Sequence, residues 1–324
     1  MRLRHRLIDI ALALPLLLAG PFLHLAARTR WSLRLSRRIQ DAFGVTIVRN
    51  HYYEPVFTGQ DLALISDGER LLPGVDFNRE GQLATLGRFT FADELAGLDG
   101  AAVDGQIYRY GNQKGMFGQG DADALYCFIR AFKPRMLIEI GCGQSSIVAQ
   151  LALRTNLSED PERPSRHVCF EPFHNGWLKD LGPEFRAERI ECIDLDVFRA
   201  LQPNDIVFID STHVLRPNGD IEHAFLRILP LLPAGVLVQI HDIFSPRDYK
   251  TAFLKHDRRF WTEQYVLEAF LSCNPEFEVL LALNDMHKRR EPRLYDAIPV
   301  LADMPDWDPG SFWIRRRAKS ESAL

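Results

Sequence analysis

The segment MLIEIGCGQSS at residues 136–146 constrains the fold of this chain more than any other segment. Residues 136–140 are a short apolar run with one charged interruption, which predicts a buried β-strand. Gly141 and Gly143 then break the strand, and a helix is expected to begin near Ser145. Glycines at such a turn let a ligand approach the backbone closely, and the following helix N-terminus presents free N–H groups. The segment therefore predicts the first βα turn of a nucleotide-binding α/β sheet.

The glycine spacing indicates which nucleotide this turn suits. A dinucleotide-binding turn reads G-x-G-x-x-G, whereas the third position here is Ser146. An acid, Glu139, precedes the first glycine by two residues and gives the pattern E-x-G-x-G. This pattern resembles the first motif of class I S-adenosylmethionine-dependent methyltransferases, in which the glycine turn lies against the methionyl part of the cofactor. The resemblance implies that Glu139, Gly141, Gly143 and Ser145 line the cofactor site.

A series of strand–helix units follows the turn. Further strands are predicted at residues 166–170, 189–193, 205–209, 236–240, 277–283 and 311–314, and helices at residues 221–232 and 262–271. The last two strands are expected to form a hairpin. Seven strands with interleaved helices match the methyltransferase fold, so the sequence predicts a Rossmann-like, mostly parallel α/β sheet with helices on both faces.

Acids at two predicted strand ends are candidates for binding the adenosyl part of the cofactor. Glu171 directly follows the second strand, where a carboxylate is placed to accept hydrogen bonds from ribose hydroxyls. A solvated strand-end carboxylate is the alternative interpretation of Glu171. Asp194 or Asp196, after the third strand, is expected near the adenine.

Two histidines and two aspartates follow the fourth and fifth predicted strands. Asp210 and His213 come after the fourth strand, and His241 and Asp242 come directly after the fifth. Neighbouring parallel strands end at the same edge of a sheet, so these four side chains are expected to converge. Methyl transfer requires an enzyme to position a nucleophile, to remove its proton and to exclude water. This edge is therefore the candidate for the chemistry, and Asp210 is also a candidate for contact with the cofactor.

Two kinds of chemistry fit these residues. In one, Asp210, His241 and Asp242 ligate a divalent metal such as Mg²⁺ or Mn²⁺, and substrate hydroxyls complete the coordination shell. Catechol-type methyltransferases carry Asp and then Asp-Asn at these places, so the His-Asp pair here shifts the preference towards softer metals or away from metal. In the other, His213 or His241 is a general base without a metal, because imidazole titrates near neutral pH.

The similarity to methyltransferases continues along the chain. From about Gly111 to Ile314, the motifs FIDSTH, ILPLLPAGV and QIHDIFSPRDY resemble a group of bacterial sugar and macrolide O-methyltransferases. This resemblance implies a small-molecule or glycoside acceptor that is methylated at a hydroxyl oxygen. A nicotinamide- or nucleotide-sugar-dependent oxidoreductase and a catalytically inert Rossmann-like binding protein are the alternatives.

Two loops are predicted to border the site. Residues 111–119 lie where a lysine–glycine segment closes over the cofactor in catechol-type enzymes, and an ordinary surface loop is the alternative. Beyond Asp242, Tyr249 and Trp261 are candidates for stacking on the acceptor, and plain packing of the loop on the sheet is the alternative.

Composition narrows the partners. The net charge of −4 and the lack of an aromatic–basic stripe give no case for a nucleic-acid partner. The five cysteines form no C-x-x-C pair, so they are interpreted as small buried hydrophobic residues, and neither zinc ligands nor disulfides are expected.

The N-terminus carries a second informative segment. Residues 7–27 are dominated by Leu, Ala and Ile, lie between arginines, and are long enough to cross a bilayer. Asp9, Pro15 and Pro21 weaken a true span, so an interfacial helix, a cleaved signal peptide and a buried core helix compete with it. Membrane attachment is favoured, with the catalytic domain in the cytoplasm. The predicted organisation is an anchor at residues 1–38, a connecting and lid region at 39–110, the catalytic domain at 111–318 and a tail at 319–324.

Overall fold

The chain folds as two units, Met1–Ile65 with Leu254–Phe260, and Ser66–Phe253 with Trp261–Leu324. The structure is a computed structural model that describes residues 2–28, 34–48, 55–57, 59–65, 68–110, 117–173, 176–257 and 259–318. The domain bounds expected from the sequence stay a prediction.

The smaller unit contains three helices, α1 (Arg2–Arg28), α2 (Arg34–Ala42) and α3 (Gly59–Leu64). Within α1, the span Arg6–Arg28 is long and apolar enough to cross a membrane, and its leucine side chains are largely exposed in this chain. A signal sequence has the same length and composition. Pro15 and Pro21 both lie inside the helix.

The larger unit holds the remaining elements. Its helices are α4 (Arg79–Leu86), α5 (Ala92–Leu95), α6 (Asp121–Phe132), α7 (Gln144–Glu159), α8 (Asp196–Arg199), α9 (Asp220–His223), α10 (Glu263–Leu271), α11 (Leu283–Lys288) and α12 (Pro292–Ala297). Its strands are β1 (Ala102–Val103), β2 (Gln106–Ile107), β3 (Met136–Ile140), β4 (Arg166–Phe170), β5 (Glu184–Arg186), β6 (Ile206–Ile209), β7 (Leu237–Ile240), β8 (Phe277–Ala282) and β9 (Phe312–Arg316).

Seven of these strands form one sheet in the order β5-β4-β3-β6-β7-β9-β8. The first five are parallel, and β9 runs antiparallel to both β7 and β8. This arrangement confirms the mostly parallel methyltransferase-like sheet that the sequence predicts. Ile140 is in register with Phe170 on one side and Ile209 on the other, and Ile209 is in register with Ile240. The turns that follow β4, β3, β6 and β7 therefore lie side by side at one edge.

Two local predictions are wrong. The third parallel strand is Glu184–Arg186, not residues 189–193, where Ile190–Cys192 forms a 3-10 turn. Ile190 and Ile193 are buried by side-chain packing and not by strand pairing, and an apolar run does not distinguish the two. The helix predicted at 221–232 is interrupted after α9 by a π turn and then a 3-10 turn that includes Pro230, which has no N–H to continue the ladder.

The sheet separates two apolar cores. Ile138 and Ile140 pack into one core, whereas Leu137 packs into the other, which also contains the inner faces of α6 and α7. Side chains alternate between the faces of a strand, so Glu139 faces the same side as Leu137. A fully buried carboxylate therefore lies at the α7 face, directly before the glycine turn.

Candidate functional site

The two glycines of the turn serve different purposes. Gly141 has φ +82°, and a Cβ there would lie 1.7 Å from the backbone oxygen of Asp210. The protein's own backbone therefore requires glycine at this position. At Gly143 a Cβ would meet nothing within 4 Å among the residues that the structure describes. The turn thus leaves open space beside Gly143, at the start of α7.

A cavity of about 580 Å³ opens at the strand ends beside this turn. It is lined by Ile140, Gly141, Phe170, Glu171, Pro172, Phe173, Glu188, Arg189, Ile190, Glu191, Asp210, Ser211, Thr212, Arg216 and Asp220. Three of the predicted cofactor-binding residues, Gly141, Glu171 and Asp210, are in this lining. The volume suits a ligand the size of a nucleoside.

Glu171 is part of the lining of this cavity. Its Oε1 accepts a hydrogen bond from the Phe173 backbone N–H at 2.7 Å, and its Oε2 accepts a longer one from Cys142 N–H at 3.4 Å. The carboxylate is thereby held in place by the backbone while its residue still faces the cavity. Its role as the ribose acceptor stays a prediction.

The other predicted cofactor residues do not line this cavity. Glu139 points into the core, and its carboxylate contacts Ser146 and His167 there. Ser145 is buried in the first turn of α7. Asp194 is exposed and caps the backbone N–H of Asp196 at 3.0 Å. Residues 188–191, which precede Asp194 along the chain, line the cavity in its place.

The structure brings Asp210, His213, His241 and Asp242 together. His213 Nε2 lies 3.3 Å from Asp210 Oδ1 and 3.6 Å from Asp242 Oδ2. His241 Nδ1 lies 3.5 Å from Asp210 Oδ2 and 3.8 Å from Asp242 Oδ2. Both imidazoles are buried, whereas the side chains of Asp210 and Asp242 are 31% and 21% exposed. The group is therefore open to solvent through its carboxylates. We call these four residues the open cluster.

Two further acids, neither of which was predicted from the sequence, contact the second ring nitrogen of each histidine. Glu263, fully buried at the start of α10, places Oε2 2.8 Å from His213 Nδ1. Asp121, at the start of α6, places Oδ2 3.5 Å from His241 Nε2, and its Oδ1 accepts backbone hydrogen bonds from residues 310 and 311. An acid in the first turn of a helix is common for electrostatic reasons alone, so no sequence signal distinguished these two.

The charges of the open cluster alter its titration. Burial lowers the pKa of His213, but its hydrogen bonds to Asp210 and Glu263 raise it to about 10. Burial also acts against the charged form of His241, yet Asp210 and Asp242 raise its pKa well above the ordinary value. For Asp210, burial raises the pKa, but the charge of His241 and the hydrogen bonds from the histidines together lower it by more. The net shift of the Asp210 pKa is therefore downward. Without a metal, both imidazoles therefore hold their protons at neutral pH.

Three residues of the open cluster fit a divalent ion. One donor atom from each of Asp210, His241 and Asp242 lies within 4.8 Å of the others. Both ring nitrogens of His241 are buried and have no hydrogen-bond partner within the described part of the chain. Two carboxylates with imidazole suit Mn²⁺ or a softer ion better than an all-oxygen site would.

Two aromatic rings flank the histidines. The Trp261 ring lies 4.4 Å from the His213 ring, and the Phe117 ring lies 5.3 Å from that of His241. Tyr249 is only 2% exposed, and its hydroxyl accepts the Gln264 backbone N–H, so Tyr249 packs the loop and does not face an acceptor. The predicted lid at 111–119 falls outside the described residues up to position 116.

A family model and several solved structures are similar to parts of this chain. Residues 138–243, from within β3 to just beyond β7, match a family model described as a methyltransferase domain. Among solved structures, the chain is similar to the plantazolicin methyltransferase BpumL in complex with SAH, at 14% identity and a TM-score of 0.41, over 74% of this chain and 96% of that one. It is also similar to an O-methyltransferase from Bacillus cereus in complex with SAH, at 13% identity and a TM-score of 0.32, over 72% and 91%. No curated protein matches the sequence.

Proposed function

Because residues 138–243 resemble the class I S-adenosylmethionine-dependent methyltransferases in sequence and in fold, we propose that this protein methylates a small molecule or glycoside at a hydroxyl oxygen. One observation carries the proposal. Asp210 lines the cavity beside the glycine turn and also lies within 3.5 Å of both histidines of the open cluster. An in-line displacement needs the nucleophile close to the methyl group, opposite the leaving sulfur. Asp210 lies where the cavity and the open cluster adjoin, so the two reactants could meet there.

The cavity is the proposed cofactor site. S-adenosylmethionine, when bound, supplies an electrophilic methyl group on its sulfonium. The Glu171 carboxylate is positioned to accept hydrogen bonds from ribose hydroxyls, and Phe170 and Ile190 give the cavity apolar walls for a base. The open space beside Gly143 allows a ligand to lie against the backbone. Asp210 supplies a negative charge next to the place where a sulfonium would lie.

The open cluster is the proposed acceptor site. Asp210, His241 and Asp242 would hold a divalent ion, which lowers the pKa of a bound hydroxyl when present. The second imidazole has a role of its own, because Glu263 binds Nδ1 of His213 and directs Nε2 towards the two aspartates. His213 is thereby positioned to hold or accept the proton of the acceptor hydroxyl. If no metal is used, His213 is the candidate general base in its neutral form, so the rate should rise as the pH approaches its pKa of about 10.

Membrane attachment through α1 completes the proposal. The helix is apolar and flanked by arginines, and the chemistry is expected on the cytoplasmic side, where the cofactor is made. Deleting residues 1–30 should move the protein from the membrane fraction to the soluble fraction while cofactor binding is kept. A full-length protein found wholly in the soluble fraction would contradict the anchor.

Cofactor-induced thermal stabilisation tests the proposed class. Saturating S-adenosylhomocysteine should raise the Tm by about 5 °C, and NAD should leave it unchanged. Gly143→Val should keep the fold and lose this shift, because its side chain would fill the open space of the turn. Gly97→Val is the matched control, since Gly97 is, like Gly143, absent from the cavity lining and a Cβ there makes only ordinary contact, but Gly97 follows α5 and not the turn after β3. A shift with NAD alone would indicate the oxidoreductase alternative, and a shift with neither ligand would contradict the proposed cofactor site.

A further inference from the structure

We propose that Glu139, Cys142, His167 and Cys169 form a structural zinc site beneath the glycine turn. The four residues come from the end of β3, from the turn itself and from β4. We call them the sealed cluster. It lies on the α7 face of the sheet, and none of its members lines the cavity described above.

The distances suit tetrahedral coordination. The donor atoms of Glu139, Cys142 and Cys169 all lie within 4.8 Å of one another. Cys169 Sγ is 3.3 Å from Glu139 Oε2 and 3.4 Å from His167 Nε2, and these last two atoms are 2.8 Å apart. Zinc bonds of about 2.3 Å to sulfur and about 2.0 Å to nitrogen or oxygen place neighbouring ligands about 3.3 to 3.8 Å apart. The donors of Glu139, Cys142 and Cys169 are therefore close enough to share one ion after small side-chain movements. His167, whose Nε2 is near two of these three donors, is the proposed fourth ligand.

The carboxylate of Glu139 gives an independent indication of a ligand. The residue is fully buried, and no described residue donates a hydrogen bond to its Oε1. Its Oε2, in contrast, already contacts Ser146 Oγ at 2.6 Å as well as His167 and Cys169. A buried carboxylate oxygen without a partner is costly. A cation bound by the Glu139 carboxylate would offset this cost, and Oε2 could keep its hydrogen bond from Ser146.

The donor types select the ion. Two thiolates with imidazole and carboxylate favour zinc over Mg²⁺ or Ca²⁺, which prefer oxygen ligands. Three of the four residues, Glu139, His167 and Cys169, are buried and Cys142 is half-buried, and four-ligand zinc sites without an open position are structural. Cys142 lies between the two glycines of the turn, so the ion would fasten that turn to β3 and β4.

Sequence spacing did not reveal this site, since the cysteines form no C-x-x-C pair. The expectation that the cysteines are mostly buried is also wrong for two of them, because Cys192 and Cys273 are exposed. Cys142 and Cys169 meet because β3 and β4 are adjacent and in register, with Glu139 opposite Cys169.

Metal analysis of the purified full-length protein tests the proposal. After dialysis, we expect about one zinc per chain, which Cys169→Ser and Glu139→Gln should each reduce at least tenfold. Glu139→Gln keeps the shape of the side chain, so it remains informative if the serine variant does not fold. Cys127→Ser is the matched control, because Cys127 is also buried but lies in α6. Asp210→Asn should keep its zinc. Zinc lost from Asp210→Asn and kept in Cys169→Ser would overturn the proposal.

Replacement by Co²⁺ tests the sulfur ligands directly. Cobalt alone, added to the metal-free protein, should give thiolate-to-cobalt charge-transfer absorption, which histidine and carboxylate ligands do not produce. The band should be absent in Cys169→Ser and unchanged in Cys127→Ser. Absence of the band in the wild type would overturn the proposal. So would a Cys142–Cys169 disulfide found by mass spectrometry of the freshly purified, non-reduced protein.

Discussion

The sealed cluster and the open cluster occupy neighbouring strands of one sheet, yet they differ in donors and in exposure. Both combine histidine with a carboxylate, at the carboxyl ends of β6 and β7 in the open cluster and within β3 and β4 in the sealed cluster. The sealed cluster adds two sulfurs, and its Glu139 and His167 are buried on all sides. The open cluster has only oxygen and nitrogen donors, and Asp210 keeps 31% of its side chain exposed. A closed metal site with sulfur ligands is typical of a structural role. An open site with oxygen and nitrogen ligands leaves room for a substrate.

The supporting residues differ in the same way. In the open cluster, Glu263 and Asp121 contact the far nitrogens of the two histidines and so fix their orientation. Second contacts of this kind tune groups that take part in chemistry. In the sealed cluster, Gln150 Nε2 lies 2.8 Å from the far nitrogen of His167, so a neutral amide takes this place. Charged residues thus contact the histidines of the open cluster, which adjoins the cavity through Asp210.

The largest expected effect is on the open cluster. Asp210→Asn should lower methyl transfer by about 10²–10⁴-fold, because a neutral amide is a weak metal ligand and cannot balance the two imidazoles. The free energy of unfolding should also fall, because Asp210 is a counter-charge for both buried imidazoles, so the rate is compared at equal amounts of folded protein. Product formation with a panel of hydroxylated acceptors measures the rate.

Asp196→Asn is the control for this variant, because Asp196 is an exposed acid on α8, outside the cavity lining. A chelator should abolish the wild-type activity, and Mn²⁺ or Mg²⁺ should restore it. Full activity in chelator-treated protein would exclude the metal and leave His213 as the general base. His213→Ala should then lower the rate by about 10²–10⁴-fold.

The corresponding change in the sealed cluster should affect stability. In chelator-treated protein, Glu139→Leu removes the acceptor for Ser146 and His167 and leaves a buried imidazole without its counter-charge, at a cost of about 3–5 kcal/mol. The double variant with His167→Leu should recover part of this loss. Urea denaturation measures both. If Glu139→Leu were as stable as the wild type, the two clusters would not differ in the way described.

The smallest expected effect is a pH dependence. The pKa of His213 is raised to about 10 from the ordinary 6.5, so its contribution to stability is complete below pH 6.5 and is lost as the pH rises towards 10. In chelator-treated protein, the difference in unfolding free energy between the wild type and His213→Gln should therefore shrink from pH 6 to pH 10. Denaturation at several pH values provides the measurement. A difference that grows with pH would show that His213 is neutral in the metal-free protein.

The sequence by itself predicted the glycine turn, the run of strands and the residues of the open cluster. These signals are local, since a short apolar run predicts a buried strand and a polar residue directly after it must lie at the sheet edge. Asp210 and His241 converge for that reason alone. The third strand and the long helix before β7 were misplaced because buried loops and π turns share the apolar pattern of regular elements.

Only the tertiary structure decided which side chains face each other across elements. The Glu139 side chain lies in the core, away from the cavity. The register of β3 with β4 places Cys169 opposite it. The tertiary structure also brought Glu263 and Asp121, at the starts of two distant helices, behind the two histidines. Such contacts depend on strand register and helix docking, which are set by packing of the whole sheet and leave no periodic mark along the chain.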